Sequence, residues 1–121
     1  MRRYHHLGMP SDMPREGEYY IAEFKVHVLP YDRNPYGIEW MRYEPGSQVP
    51  ELVRQVPHLA FEVDDLESEI AGREVLIPPN SPSPGVTVAF IAHEGAPIEF
   101  LEYARPGSGA KKPRRRTGSK D

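Results

Sequence analysis

The chain has 121 residues and a mass of 13.8 kDa, which fits one domain and is too short for a cofactor domain beside a substrate domain. It contains no cysteine, which excludes disulfides, thiolate metal sites, iron–sulfur clusters and cysteine nucleophiles and leaves His, Asp and Glu to hold any metal. Net charge is -3, but the last 17 residues hold 7 basic and 1 acidic residue, so residues 1–104 carry a net -9, a composition that speaks against nucleic-acid binding.

The chain opens with an expected strand over 3–9. The stretch after it is broken by Pro14 and Gly17, so no long helix fits there. Glu18 to Phe24 reads as either a short helix or an extended arm, and Tyr19, Tyr20 and Phe24 are candidates for a pocket wall. Strands are expected near 24–30 and 36–43, followed by a short linking helix over Val49 to Gln55. A strand over 58–63 leads into Asp64-Asp65, either of which can cap a short helix. Leu66 and Ile70 give that helix one apolar stripe, and Gly72 stops it. Strands near 74–78, 86–93 and 97–103 follow, and the Pro-rich run Pro78 to Gly85 reads as a stiff loop. The basic tail, 105–121, has no large apolar residue to offset the entropy of ordering and is expected to be disordered. No run approaches the roughly 18 apolar residues of a membrane helix, and Met1 to Pro10 has no apolar run of signal-peptide type. A cytoplasmic protein with no membrane partner is the expectation.

Two pairs of segments repeat in the same order. His6-Leu7-Gly8-Met9 matches His58-Leu59-Ala60-Phe61, and Ile38-Glu39-Trp40-Met41-Arg42-Tyr43 matches Ile98-Glu99-Phe100-Leu101-Glu102-Tyr103. The chain therefore reads as two copies of one module, about 1–48 and 56–104, related by an approximate two-fold. Strand alternation puts Glu39, Met41 and Tyr43 on one face, and Glu99, Leu101 and Tyr103 likewise. Trp40 and Phe100 occupy matched positions on the opposite face, where core packing is expected. His6 shares its face with Gly8, whose missing side chain leaves room beside the imidazole. His5 is expected to point the other way, as a register alternative to His6. His27 and His93 lie on other strands, lining the cleft or exposed at the surface.

A module with His on its first strand and Glu on its last, present twice, resembles the vicinal oxygen chelate superfamily, which contains glyoxalase I, methylmalonyl-CoA epimerase, extradiol dioxygenases and bleomycin resistance proteins. Pro57-His58-Leu59-Ala60-Phe61-Glu62-Val63-Asp64-Asp65-Leu66 resembles the opening of the family's second module. Ala96-Pro97-Ile98-Glu99-Phe100-Leu101-Glu102 resembles its closing strand. The resemblance spans nearly all of 3–104 and implies one α+β domain over 1–104. Two βαβββ-type modules, the first with a reduced helix, would form a curved mixed sheet around a cleft. By position it implies a divalent metal ion (Zn, Ni, Co, Mn or Fe) held by His6, Glu39, His58 and Glu99. It also implies a homodimer whose sites draw on one chain or on two. The long helix usual after the first strand is compressed here, and no glutathione-site signature is present, so the substrate does not carry over.

Such a site would act on a small oxygenated substrate. A glyoxalase-like lyase or isomerase would use the ion as Lewis acid to stabilise an enediolate or oxyanion while a carboxylate moves a proton, Glu99 first and Glu39 second. An extradiol-type iron dioxygenase would need only His6, His58 and Glu99, with Glu39 as an extra acid. A resistance-type module would bind a hydrophobic or cationic molecule in the cleft without catalysis. Tyr43 and Tyr103, on the Glu faces, could offer hydroxyls to a substrate.

Overall fold

The computed structural model describes residues 1–105; the tail expected to be disordered otherwise lies outside the described residues. In chain order the elements are β1 (Arg2–Pro10), β2 (Tyr19–Ile21), β3 (Val26–Leu29), a 3-10 turn (Tyr31–Arg33), β4 (Ile38–Tyr43) and α1 (Glu51–Gln55). Then come β5 (His58–Val63), α2 (Leu66–Ile70), β6 (Glu74–Ser83), β7 (Val86–His93) and β8 (Ala96–Tyr103). All eight strands join one sheet in the order β2-β3-β4-β1-β5-β8-β7-β6. Within each half the first strand lies parallel to the last, β1 with β4 and β5 with β8. The halves meet along the antiparallel pair β1–β5. Residues of β2 and β6, the two edge strands, line one common cavity, so the sheet is curled about it.

The two faces of the sheet have different covers. On the convex side of the second half, α2 lays Leu66 and Ile70 against Val63 and Phe100. Its start is fixed by Asp65, whose carboxylate accepts from the Ser68 N–H at 3.3 Å, and by Glu102, which accepts from the Leu66 N–H at 2.8 Å. The positive φ of Gly72, 75°, then turns the chain out of the helix. The first half has no such helix. Its segment 11–18 crosses the sheet instead and lays the Arg15 guanidinium 4.2 Å from the Trp40 ring centre. On the concave side, Val53 of α1 packs with Val49 and Phe90 and closes one end of the cavity.

One open alternative is decided and two expectations are corrected. Residues 18–24 form no helix: β2 pairs antiparallel with β3 as an extended arm. The Pro-rich run is not a loop, since β6 continues through Pro78, Pro79 and Pro82 to Ser83. It can do so because β6 is an edge strand, where a missing N–H costs no ladder bond, and because its pairing with β7 shifts register between Val75 and Ile77, Ile77 and Asn80, and Asn80 and Ser83. The third concerns His5. Tyr4 pairs with Phe61 and His6 with Ala60, so His5 is an inserted residue, and this bulge turns its ring to the concave side with His6.

Candidate metal centre

The site sits where the two halves meet, and its register follows from the repeat. The β1–β5 pair is centred on Leu7 and Leu59, so His6 lies opposite Ala60 and His58 opposite Gly8. Each imidazole therefore faces a small residue of the other half. The fit is tightest at Gly8, where a Cβ would lie 2.0 Å from His58 Cε1. The space that Gly8 leaves is thus filled by His58, not by His6. The parallel pairs add the acids. Gly8 pairs with Glu39 and Ala60 with Glu99, so each carboxylate enters from the strand beside the His-bearing strand of its own half.

The resulting geometry is compact. Glu99 Oε1 lies 3.1 Å from His58 Nε2 and 3.3 Å from His6 Nε2, and Glu39 Oε1 lies 3.5 Å from His6 Nε2. His6, His58 and Glu99 are all buried, with ligand atoms within 4.8 Å of one another. Two atoms each about 2.1 Å from a common ion stand about 3.0–3.4 Å apart in octahedral to tetrahedral arrangements, so the distances from Glu99 to both imidazoles match ligands of one first-row metal, and Glu39 lies just beyond that range. A second observation agrees with that fit. His6 Nε2 is buried and, despite its two carboxylate neighbours, is aligned for a hydrogen bond with neither. A buried polar nitrogen left in that state is costly unless something else satisfies it. Among the described residues this trio is a buried group able to hold a metal ion, with Glu39 beside it.

The two carboxylates differ sharply in their protonation. Burial alone would raise Glu99, but the hydrogen bond with His58 and the charge of the nearby His6 outweigh it and bring it down to about 2. Glu39 meets only one imidazole, and burial pushes it up to about 7, with the charges of Glu99 and Asp32 adding and that of His6 opposing. His6 itself is raised, since its carboxylate neighbours outweigh its burial. Burial also keeps the phenols neutral: Tyr19 is pushed up to about 12, and Tyr43 higher still.

Behind the site lies a chain of hydrogen bonds that the alternation of β1 does not reveal. His6 Nδ1 is 2.7 Å from His5 Nδ1, and His5 Nε2 is 2.8 Å from the Tyr103 hydroxyl. An imidazole that offers Nε2 to an ion carries its hydrogen on Nδ1. His6 then donates to His5 Nδ1, and His5 donates from Nε2 to Tyr103, which fixes every tautomer in the series. Tyr31 covers this group from the mouth, stacked on His6 with ring centres 5.6 Å apart. His58 is held by packing instead, against Gly8 and edge-to-face on Phe90 at 4.8 Å. His27 bonds to Glu44 at 2.9 Å away from the cavity lining, and His93 is exposed. Tyr43, Tyr103, Tyr19, Tyr20 and Phe24 all line the cavity.

No protein-family model matches the chain, and no curated protein matches it in sequence. Solved structures do match in shape. A hypothetical protein from Bacillus halodurans C-125 superposes with a TM-score of 0.66 at 16% identity, over 89% of this chain and 99% of its own. Methylmalonyl-CoA epimerase from Mycobacterium tuberculosis superposes with a TM-score of 0.54 at 16% identity, over 85% of this chain and 89% of its own. At such identities the likeness is one of fold, and with the paired modules and the curled mixed sheet it gives the conclusion: this chain has the fold of the vicinal oxygen chelate superfamily.

Proposed function

We propose that the protein is a metal-dependent enzyme of vicinal oxygen chelate type, a lyase or isomerase that moves a proton on a small oxygenated substrate. The observation that carries this reading is the close set of His6, His58 and Glu99 with Glu39 beside it, two imidazoles and two carboxylates at ligand-to-ligand spacing. When bound, a divalent ion would supply Lewis acidity to adjacent oxygens of the substrate. The chain's own residues supply the rest. Glu99, ionised over the whole neutral range, is suited to be a constant ligand. Glu39, which approaches the set through His6 alone, is suited to take a proton from the substrate and return it. Tyr31 and Tyr19 border the site and would limit water around the transferred proton.

One observation favours a second reading. The mutually close set contains two His and one carboxylate, and Glu39 approaches that set through His6 alone. This is the composition of the iron-binding triad of oxygenases. Metal content separates the two. Purified protein and its His58→Ala and Glu39→Ala variants, reconstituted with a panel of divalent ions, are measured by elemental mass spectrometry. About one ion per chain in the parent, lost in His58→Ala and weakened in Glu39→Ala, supports the four-ligand proton-transfer site. Metal kept at full strength in Glu39→Ala supports the triad, and dioxygen uptake by the iron form is then the next assay. An absence of metal in the parent under every condition refutes both readings and leaves a binding module.

A further inference from the structure

The cavity in front of the site has a volume of about 640 Å³, within the range of small-molecule pockets. Its apolar lining includes Val53, Ile77, Val88, Phe90 and Leu101, with Phe90 against His58 and Tyr31 stacked on His6. No Lys or Arg lines it among the described residues; its acids are Glu23, Glu39 and Glu99, and its imidazoles, His5 and His6, belong to the metal-centre group. An anionic group placed against this wall would lose water and gain no Lys or Arg partner. A flat apolar body meets the opposite situation, with aromatic edges and aliphatic side chains on several sides.

We infer that the substrate of this site has an aromatic or similarly flat apolar body and that, beyond the two oxygens it presents to the ion, it carries no carboxylate, phosphate or sulfonate. The inference rests on the metal-centre reading above and deepens it. It sets this chain apart from enzymes whose substrates carry a nucleotide or a peptide acid, because the described wall offers such charges hydroxyls and one amide but no Lys or Arg. The cavity itself selects, by what its wall lacks: the chelating head is common to many substrates, and the body distinguishes them.

The test uses three probes with one chelating head. Acetohydroxamate has the head alone, benzohydroxamate adds a flat apolar body, and 4-carboxybenzohydroxamate adds a charge at the far end of that body. Binding of each to the full chain is measured by calorimetry, with and without one equivalent of zinc. The expected result is zinc-dependent binding in which benzohydroxamate is at least tenfold tighter than acetohydroxamate, and the added carboxylate loses at least tenfold. Ile77→Trp, which narrows the cavity from a part-exposed position, should abolish the preference for the benzoyl body and leave acetohydroxamate unchanged. Equal zinc-dependent binding of all three probes would overturn the substrate class and leave the metal centre standing, as would a carboxylated probe that binds as well as benzohydroxamate. A preference that survives Ile77→Trp would place the body outside this cavity and overturn the inference as well. Binding that is absent, or indifferent to zinc, would overturn the metal-centre reading itself.

Discussion

Gly8→Ala is the sharpest test of how the two halves make one site. The added methyl carbon would lie 2.0 Å from His58 Cε1 and 2.4 Å from both ring nitrogens. Ordinary contact begins near 3.4 Å, so the ring or the strand must move by about 1.4 Å. Neither has an easy direction. His58 is wholly enclosed, with Phe90 edge-on at 4.8 Å, and β1 is held between β4 and β5 in the middle of the sheet. Metal ligands tolerate errors of about 0.2 Å, so a shift of this size removes His58 from the set. Zinc affinity, measured by competition with a chromophoric chelator, should fall by about 100-fold or more, beyond the range for loss of a group that merely supports a ligand. Overpacking should also cost about 1–3 kcal/mol of metal-free stability, a fall in Tm of roughly 4 °C per kcal/mol for a chain of this size. The control is Gly72→Ala, where a Cβ meets nothing within 4 Å and the positive φ alone is strained. It should lose stability without losing zinc affinity. Unchanged zinc affinity in Gly8→Ala would refute the placement of His58 as a ligand packed on Gly8.

Three further outcomes follow from the same geometry. Glu39 has a folded-state pKa of about 7 against 4.5 for an ordinary carboxyl, so metal-free protein holds this proton more tightly when folded. Its contribution is fully present below pH 4.5 and is lost as pH rises through about 7, costing about 2–3 kcal/mol. The Tm advantage of metal-free Glu39→Gln over the parent should therefore grow between pH 5 and 8 and reverse when zinc is added; a gap that stays flat across this range would count against a buried Glu39. His5→Phe removes the partner of His6 Nδ1 and should weaken zinc binding about 10–100-fold at unchanged stoichiometry, with partial recovery in His5→Gln, whereas Tyr103→Phe, one bond further out, should have a smaller effect. Arg15→Ala uncovers Trp40, the single tryptophan, and should cost about 0.5–1 kcal/mol and shift intrinsic fluorescence to longer wavelength, whereas an unshifted spectrum would mean that segment 11–18 does not lie on the sheet.

The parts of the structure that were legible in sequence are those written in strand alternation and repetition. The matched Ile-Glu-aromatic-aliphatic-charged-Tyr segments became β4 and β8, with Glu39 and Glu99 in equivalent register beside Gly8 and Ala60. The parts that were not legible depend on neighbours distant in sequence. Whether Pro78 and Pro79 break a strand depends on whether that strand lies at an edge, which only the sheet order decides. His5 was placed on the wrong face because one inserted residue reverses alternation, and nothing local in Arg-Tyr-His-His-Leu marks a bulge. The role of Gly8 was half visible. His-Leu-Gly and His-Leu-Ala each place a small residue two positions after the His, and antiparallel pairing about the two leucines sets each His over the small residue of the other copy. That signal was present in the repeat, and it becomes readable once the register of the two copies is known.

The repeat also explains why one scaffold gives two carboxylates of different character. Glu39 and Glu99 hold equivalent register in their halves, yet the pseudo-two-fold is broken around them. Glu99 reaches both imidazoles, at 3.1 and 3.3 Å, whereas Glu39 reaches only His6, at 3.5 Å, and shares its surroundings with Glu99 and Asp32. Asp32 comes from the 3-10 turn between β3 and β4, and the second half connects its matching strands through the two-residue turn Glu94-Gly95 instead. Two imidazoles keep Glu99 ionised, whereas burial is the main cause of the raised Glu39, with Glu99 and then Asp32 adding to it. The repeat supplies two His and two Glu in pairs, and unequal surroundings give its two carboxylates different proton affinities in the metal-free site.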